Sequence, residues 1–183
     1  MGLGDAHPGT SGPRGALASR LVTGLVVRDA RTSDVGRIAT VFREARTAAL
    51  PWLPVLHSSS EDLEFFGGAV QAHMAYVATI NDRVVGFAVV DPDEHLLDHL
   101  YLDPSLRRQG IGTALLRHAR AQHREALELW CFTRNEAARA FYAAAGGREL
   151  YETDGRDNEE RTPDVRIGLP AWGAGPGDGA SGQ

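Results

Sequence analysis

The sequence contains no lysine: all 19 of its basic residues are arginine. A Walker-type phosphate loop, which needs Gly-Lys-Ser/Thr, is thereby excluded. It has a single cysteine, Cys131, too few for an intramolecular disulfide framework or a cysteine-rich zinc site. No apolar run approaches the roughly 20 residues of a membrane span, and MGLGDAHPGTSGPRGALASR holds no apolar core of a secretory signal. Ala6 stands where an N-myristoylation pattern needs Ser or Thr. Positive charge is short as well: the net charge is −5 and the pI about 5.8, whereas a nucleic-acid partner demands a basic face. The expectation is a soluble cytoplasmic protein with no nucleic-acid or membrane partner.

What is present fits one domain. The 183 residues are 43% hydrophobic and 23% charged, enough to bury a core without staples. Residues 1–22 and 171–183 are rich in Gly, Ala, Ser and Pro and read as disordered tails, leaving a domain at 23–170. Within it, Leu25–Arg28 reads as a strand. Ser33 then caps a helix through Arg46, with Val35, Ile38, Val41 and Phe42 on one stripe. After a Pro-broken loop at 51–57, Ser60-Glu61-Asp62 opens a second helix toward Gln71. Met74–Ile80 and Val84–Val90 flank Asn81-Asp82 as a hairpin, and a further strand spans His95–Asp103. Ile111–Gln122 is helical, Ala126–Phe132 extended, and Asn135–Ala145 helical up to Gly146-Gly147. Leu150–Thr153 and Val165–Leu169 form a last strand pair. The order β-αα-βββ-α-β-α-ββ implies an α/β mixed sheet with helices on its faces.

The chemistry concentrates at Leu100-Tyr101-Leu102-Asp103-Pro104-Ser105-Leu106-Arg107-Arg108-Gln109-Gly110-Ile111-Gly112-Thr113. A strand ends, a glycine loop follows, and a helix begins. Free N–H groups and the helix dipole make such a start an anion site, and Gly110 and Gly112 admit close backbone approach. Arg107 and Arg108 add positive charge. A dinucleotide fingerprint needs a third glycine where Leu115 stands and an acid about 20 residues on, near Trp130, so it does not fit.

Arg107-x-x-Gly110-x-Gly112 resembles the Q/R-x-x-G-x-G/A pyrophosphate loop of the GNAT (GCN5-related N-acetyltransferase) superfamily. Downstream, Asn135, Ala138, Phe141, Tyr142 and Gly146 match its N-x-x-A-x-x-F-Y-x-x-x-G segment. The resemblance covers Leu25 to Leu169. It implies a GNAT fold: a central mixed, mostly antiparallel sheet flanked by about four helices. Some bacterial members also share Pro51-Trp52-Leu53-Pro54, His57, Thr153-Asp154-Gly155, Asn158-Glu159-Glu160 and Pro163-Asp164-Val165-Arg166. A bacterial origin agrees with the all-arginine usage of a GC-rich genome.

The resemblance further implies acetyl-CoA as co-substrate and direct attack by a primary amine in a ternary complex. Backbone groups of Leu100, Tyr101 and Leu102 would bond the thioester and pantetheine. Arg107, Arg108, Gln109, Gly110, Ile111, Gly112 and Thr113 would hold the pyrophosphate. Asn135 would meet the pantetheine, besides being a good N-cap, and Tyr142 would protonate the leaving thiolate. Many relatives carry a glutamate base at the position of Leu96, which this chain lacks. Asp98 is then first choice, because strand alternation puts it on the face of Leu100 and Leu102, with His99 facing away. His99, His95, Glu94 or a water chain are the alternatives.

Trp52 and His57, on the loop between the first two helices, are expected to wall the acceptor site, and the acidic stretch 154–160 to attract an ammonium group or to be a solvated loop. Cys131, inside an apolar strand, reads as an inert buried thiol. His95-x-x-x-His99 and His118-x-x-x-x-His123 match no metal motif, so no metal is expected. The leading acceptor is a small-molecule amine. A protein N-terminus or lysine, or a silent acyl-CoA-binding module, are the other readings. Dimers are common in the family.

Overall fold

The computed structural model describes residues 22–72 and 74–173. In chain order its elements are β1 (Leu25–Asp29), α1 (Val35–Ala49), α2 (Ser59–Gln71), β2 (Ala75–Ile80), β3 (Arg83–Asp91), β4 (Leu96–Leu102), α3 (Ile111–His123), β5 (Leu127–Phe132), α4 (Glu136–Ala144), β6 (Arg148–Thr153) and β7 (Asp164–Leu169). The expected order β-αα-βββ-α-β-α-ββ is the observed one. Among the described residues the strands form one sheet in the order β1-β2-β3-β4-β5-β7-β6. Every pairing is antiparallel except β4 with β5. That exception follows from connectivity, since α3 is the crossover between those two strands.

The helices divide between the two faces. Ile38 and Val41 of α1 and Phe66 and Val70 of α2 pack on Val77, Phe87 and Val89. On the other face, Ile111, Leu115 and Ala119 of α3 and Tyr142 of α4 pack on Val85, Ala88, Leu129, Cys131 and Ile167. β3 is covered on both sides, which is why Val84–Val90 is a continuous buried run rather than an alternating one. Each fully buried Ile, Val, Leu or Phe here contributes about 1.5–3 kcal/mol.

Local chemistry sets the boundaries. Asn81 and Asp82 take positive φ (50° and 62°), the two left-handed residues that a tight hairpin turn requires. α2 opens at Ser59, one residue before the expected Ser60, and Ser58 caps it: its Oγ accepts from Glu61 N (3.3 Å) and Glu61 Oε2 accepts from Ser58 N (2.7 Å). Ser33 does not cap α1. Thr32–Asp34 instead coil as a 3₁₀ turn running into α1, and Asp34, held by Arg28, accepts the Arg31 N–H at 2.8 Å. α4 ends with Gly146 at φ +88° and the Gly147 N–H bonded back to Tyr142 O at 2.8 Å.

Of the two segments expected to be tails, 1–21 and 174–183 lie outside the described residues. Trp172, assigned by composition to the second tail, donates its N–H to Arg124 O (3.0 Å) beneath the Arg120 guanidinium.

Candidate active site

β4 and β5 pair at one position, Leu96 with Glu128, where Glu128 N donates to His95 O at 2.9 Å. Beyond that point they part. On its other edge β4 stays paired with β3 through Leu102, and Asp103 N donates to Val85 O at 2.8 Å. Backbone polar groups alternate along a strand, so Tyr101 turns its N–H and C=O toward β3 like Asp103. Leu100 and Leu102 turn theirs into the gap. These are strand donors and acceptors with no strand opposite them, at a place where backbone groups need partners. An extended amide-bearing ligand such as a pantetheine arm fits that requirement.

Below the gap lies the glycine loop. Gly110 is the residue before α3, at φ +82°, and Arg108 is also left-handed at φ +61°. Gln109 is half-buried, while Arg108 and Thr113 are exposed. Arg107, expected to supplement a phosphate site, extends its guanidinium toward Ala45 O at 3.5 Å. Ile111 is 1% exposed, its side chain in the core. Gly112 is buried too: a Cβ there would stand 3.3 Å from Leu102 Cδ1 and 3.5 Å from the Phe141 ring. Its missing side chain serves helix packing against β4 and α4, which leaves close approach from outside to Gly110.

Tyr142 is buried, and burial holds its phenol well above the ordinary tyrosine value, with Cys131 and Tyr101 adding to the effect. It is protonated at neutral pH. Burial likewise pushes the Cys131 thiol up to about 11, which agrees with an inert thiol. Asn135 caps α4, its Oδ1 accepting from Ala138 N at 3.3 Å.

Asp98 is exposed on β4 at a bulge, where Val89 faces His99 and Val90 faces Leu97, so the expected alternation is broken there; its carboxylate lies 3.6 Å from His99 Nε2. His99 points to the face opposite Leu100 and Leu102, into a cage of Phe42, Phe65, Phe66, Phe87 and Tyr101, where burial lowers its pKa. A neutral imidazole among aromatic rings is a packing group. Tyr101 stacks on Phe87 in the same cluster.

The 51–57 loop reaches toward the start of α4. The Arg134 guanidinium lies 4.7 Å over the Trp52 ring, and the Trp52 indole N–H is buried without a partner among the described residues. His57 Nε2 meets Glu159 Oε2 at 2.8 Å, and Arg46 meets Glu160 at 2.8 Å. Beside them opens a pocket of about 180 Å³, lined by Phe42, Arg43, Arg46, Leu50, Leu53 and His57 among others. Buried Asp62 sits at its edge, 2.6 Å from Arg43. Arg46, Asp62 and the pairing of Glu159 with the loop and of Glu160 with α1 escaped the sequence reading, since no motif links positions so far apart.

The comparisons bear on this geometry. The model of the acetyltransferase (GNAT) family matches residues 42–146, from α1 through the glycine loop to Gly146. The chain belongs to the GNAT acetyltransferase family. It is 30% identical over 128 residues to a ribosomal protein bS18-alanine N-acetyltransferase of Escherichia coli K12, an alignment covering 63% of this chain and 81% of that one. The crystal structure of the S18-alanine enzyme from Escherichia coli has a TM-score of 0.62 at 24% identity, over 84% of this chain and 97% of its own. A Thermoplasma acidophilum PaiA N-acetyltransferase, solved in complex with coenzyme A, has a TM-score of 0.61 at 16% identity, over 80% and 98%. The fold and the acetyltransferase class expected from the two motifs are thus both met. Among the described residues no helix is long and apolar enough to cross a membrane.

Proposed function

We propose that this acetyltransferase passes the acetyl group of acetyl-CoA to a primary amine of a small molecule, by direct attack with both substrates bound. The observation that carries the reading is the β4–β5 gap, with the backbone groups of Leu100 and Leu102 turned into it above the Gly110 loop. Acetyl-CoA supplies the activated acyl group. The N–H groups at the start of α3, with Arg107, Arg108 and Gln109 around them, hold its pyrophosphate. A Leu100 or Leu102 N–H stabilises the carbonyl oxygen as it turns anionic. Tyr142, protonated through the neutral range, delivers a proton to the departing sulfur. Asp98 takes the proton of the attacking amine. Trp52 and His57 wall the acceptor side, and a pocket of about 180 Å³, the room of about six waters, suits a small amine. The cytoplasm, where acetyl-CoA is available, is the compartment this reading requires.

One observation favours a second acceptor class, the N-terminal amine of a protein: the Escherichia coli relative is named for acetylating an alanine of a ribosomal protein.

The test is calorimetric titration of acetyl-CoA into the wild type and Gly110→Glu, followed by free-thiol release over panels of small amines and peptides with free N-termini. Saturable binding lost in a folded Gly110→Glu variant, with turnover on small amines, is the expected result. Turnover on peptides alone transfers the reading to the protein class. Binding without turnover on either panel identifies a silent acyl-CoA module, and no binding removes the proposal.

A further inference from the structure

We propose that His95, His123 and Glu125 form a binding site for a late first-row divalent cation such as Zn²⁺, separate from the acyl-transfer site. Neither histidine has a ligand partner at motif spacing in the sequence, and the fold is what joins them. His95 ends the turn before β4, His123 is the last residue of α3, and Glu125 lies two residues further. His95 Nδ1 is 3.0 Å from His123 Nε2 and 3.1 Å from Glu125 Oε2, and all three ligand atoms lie within 4.8 Å of one another.

The two separations from His95 Nδ1 are what a shared cation needs. At metal–ligand distances of about 2.0–2.1 Å, two ligands on one ion stand roughly 2.9 Å apart at a right angle and about 3.3 Å apart at the tetrahedral angle. Without an ion, His95 Nδ1 has at most one proton to offer two acceptors. A divalent cation engages the lone pairs of all three groups. Two imidazoles and one carboxylate suit zinc, nickel or copper rather than magnesium or calcium. The carbonyl end of α3, with its partial negative charge, adds to the attraction. The side chains of His95 and Glu125 are 50% and 67% exposed, which leaves open positions for water on the ion.

The site lies at the opposite end of α3 from the Gly110 loop, 13 residues and about 20 Å away. It is nevertheless connected to the gap. His95 precedes Leu96, the residue that makes the single β4–β5 pairing, and its carbonyl accepts from Glu128 N. An ion held there ties the start of β4 to the end of α3 at the closed end of the gap.

The experiment uses the full chain, stripped with EDTA and dialysed, with Zn²⁺ titrated against a chromophoric chelator. The expected result is one ion per chain, an affinity weakened by about tenfold or more in His95→Ala, His123→Ala and Glu125→Gln, and a Zn²⁺-dependent rise in Tm that His123→Ala loses. Circular dichroism verifies the fold of each variant. Glu125→Gln, an exposed change of nearly equal shape, carries the test if a histidine variant fails to fold. Absence of saturable Zn²⁺ binding by the wild type, or binding that none of the three substitutions weakens, overturns the proposal.

Discussion

His57 Nε2 and Glu159 Oε2 lie 2.8 Å apart across 102 residues of sequence, joining the loop before α2 to the loop before β7. The carboxylate raises the His57 pKa above its ordinary value, first through the hydrogen bond and then through its charge. A group whose folded pKa is raised contributes its pairing fully below the unfolded value, about 6.5, and loses it as pH rises through the folded value. The pair therefore loosens on the alkaline side of that window. Glu159→Gln should return the His57 midpoint toward 6.5 in an NMR titration of the imidazole protons. An unchanged midpoint would show that the pair does not form in solution.

Tyr142→Phe should lower kcat by about 10²–10⁴-fold, the usual contribution of a positioned acid. Acetyl-CoA affinity should stay within a few-fold, because the ring that packs against α3 and β5 is kept. Burial raises the phenol pKa, so the wild-type rate should not decline through Tyr142 ionisation before pH exceeds the ordinary tyrosine value of about 10. A Tyr142→Phe enzyme with unchanged kcat would assign the thiolate proton to another donor.

Asp34 is held at 2.7 Å by Arg28 and also accepts the Arg31 N–H, and its side chain is 9% exposed. Its pKa is lowered chiefly by the Arg28 hydrogen bond, against the opposing effect of burial. A depressed carboxylate stabilises the fold above its unfolded value of about 3.9, and the contribution is lost as pH falls through the folded value. Asp34→Asn should destabilise the protein by about 1–3 kcal/mol at pH 7 and flatten the acid limb of the Tm profile. A variant with the wild-type acid limb would place the titration in other carboxylates, Asp103 first among them, since hydrogen bonds from Ser105 lower its pKa.

The sequence announced some of this arrangement and concealed the rest, for physical reasons. Strand and helix order was legible because Val84–Val90, Ile111–Ala119 and Asn81-Asp82 carry local signals of burial, periodicity and turn chemistry. The Ser33 cap was misread because Asp34, one residue on, has a stronger partner in Arg28, a contact no local rule weighs. Alternation placed His99 on the face away from Leu100 and Leu102, but the bulge at Asp98 depends on β3 and the aromatic cage around His99 draws on α1, α2 and β3, so neither has a linear signature. The same holds for Arg46–Glu160 and for His95–His123. In the Thr153–Arg166 segment the flanking strands and the acidic run were legible, but the bonds inside the loop were not. In the fold those residues bond one another: Asn158 Nδ2 donates to Thr162 O (2.8 Å) and Asp164 Oδ2 (3.0 Å), Thr162 N donates to Asn158 Oδ1 (3.1 Å), and Thr153 bonds Asp164.

Gly155 is where that loop is most exposed to a single change. It sits at φ +77°, donates its N–H to Thr153 Oγ1 at 3.1 Å, and is covered by the backbone of Thr162. A Cβ there would stand 2.6 Å from Thr162 N and closer still to its carbonyl group, backbone atoms that cannot rotate away. Gly155→Ala combines left-handed strain with a clash and should destabilise the protein by about 2–4 kcal/mol. Since Glu159 and Glu160 reach His57 and Arg46 from this loop, the amine KM should rise while the acetyl-CoA Kd stays near wild type, the Gly110 loop being elsewhere. Asn158→Ala, which keeps the glycine but removes three hydrogen bonds, should move the amine KM the same way. An acetyl-CoA Kd weakened in parallel with the amine KM would mean that the loop supports the whole fold rather than the acceptor side.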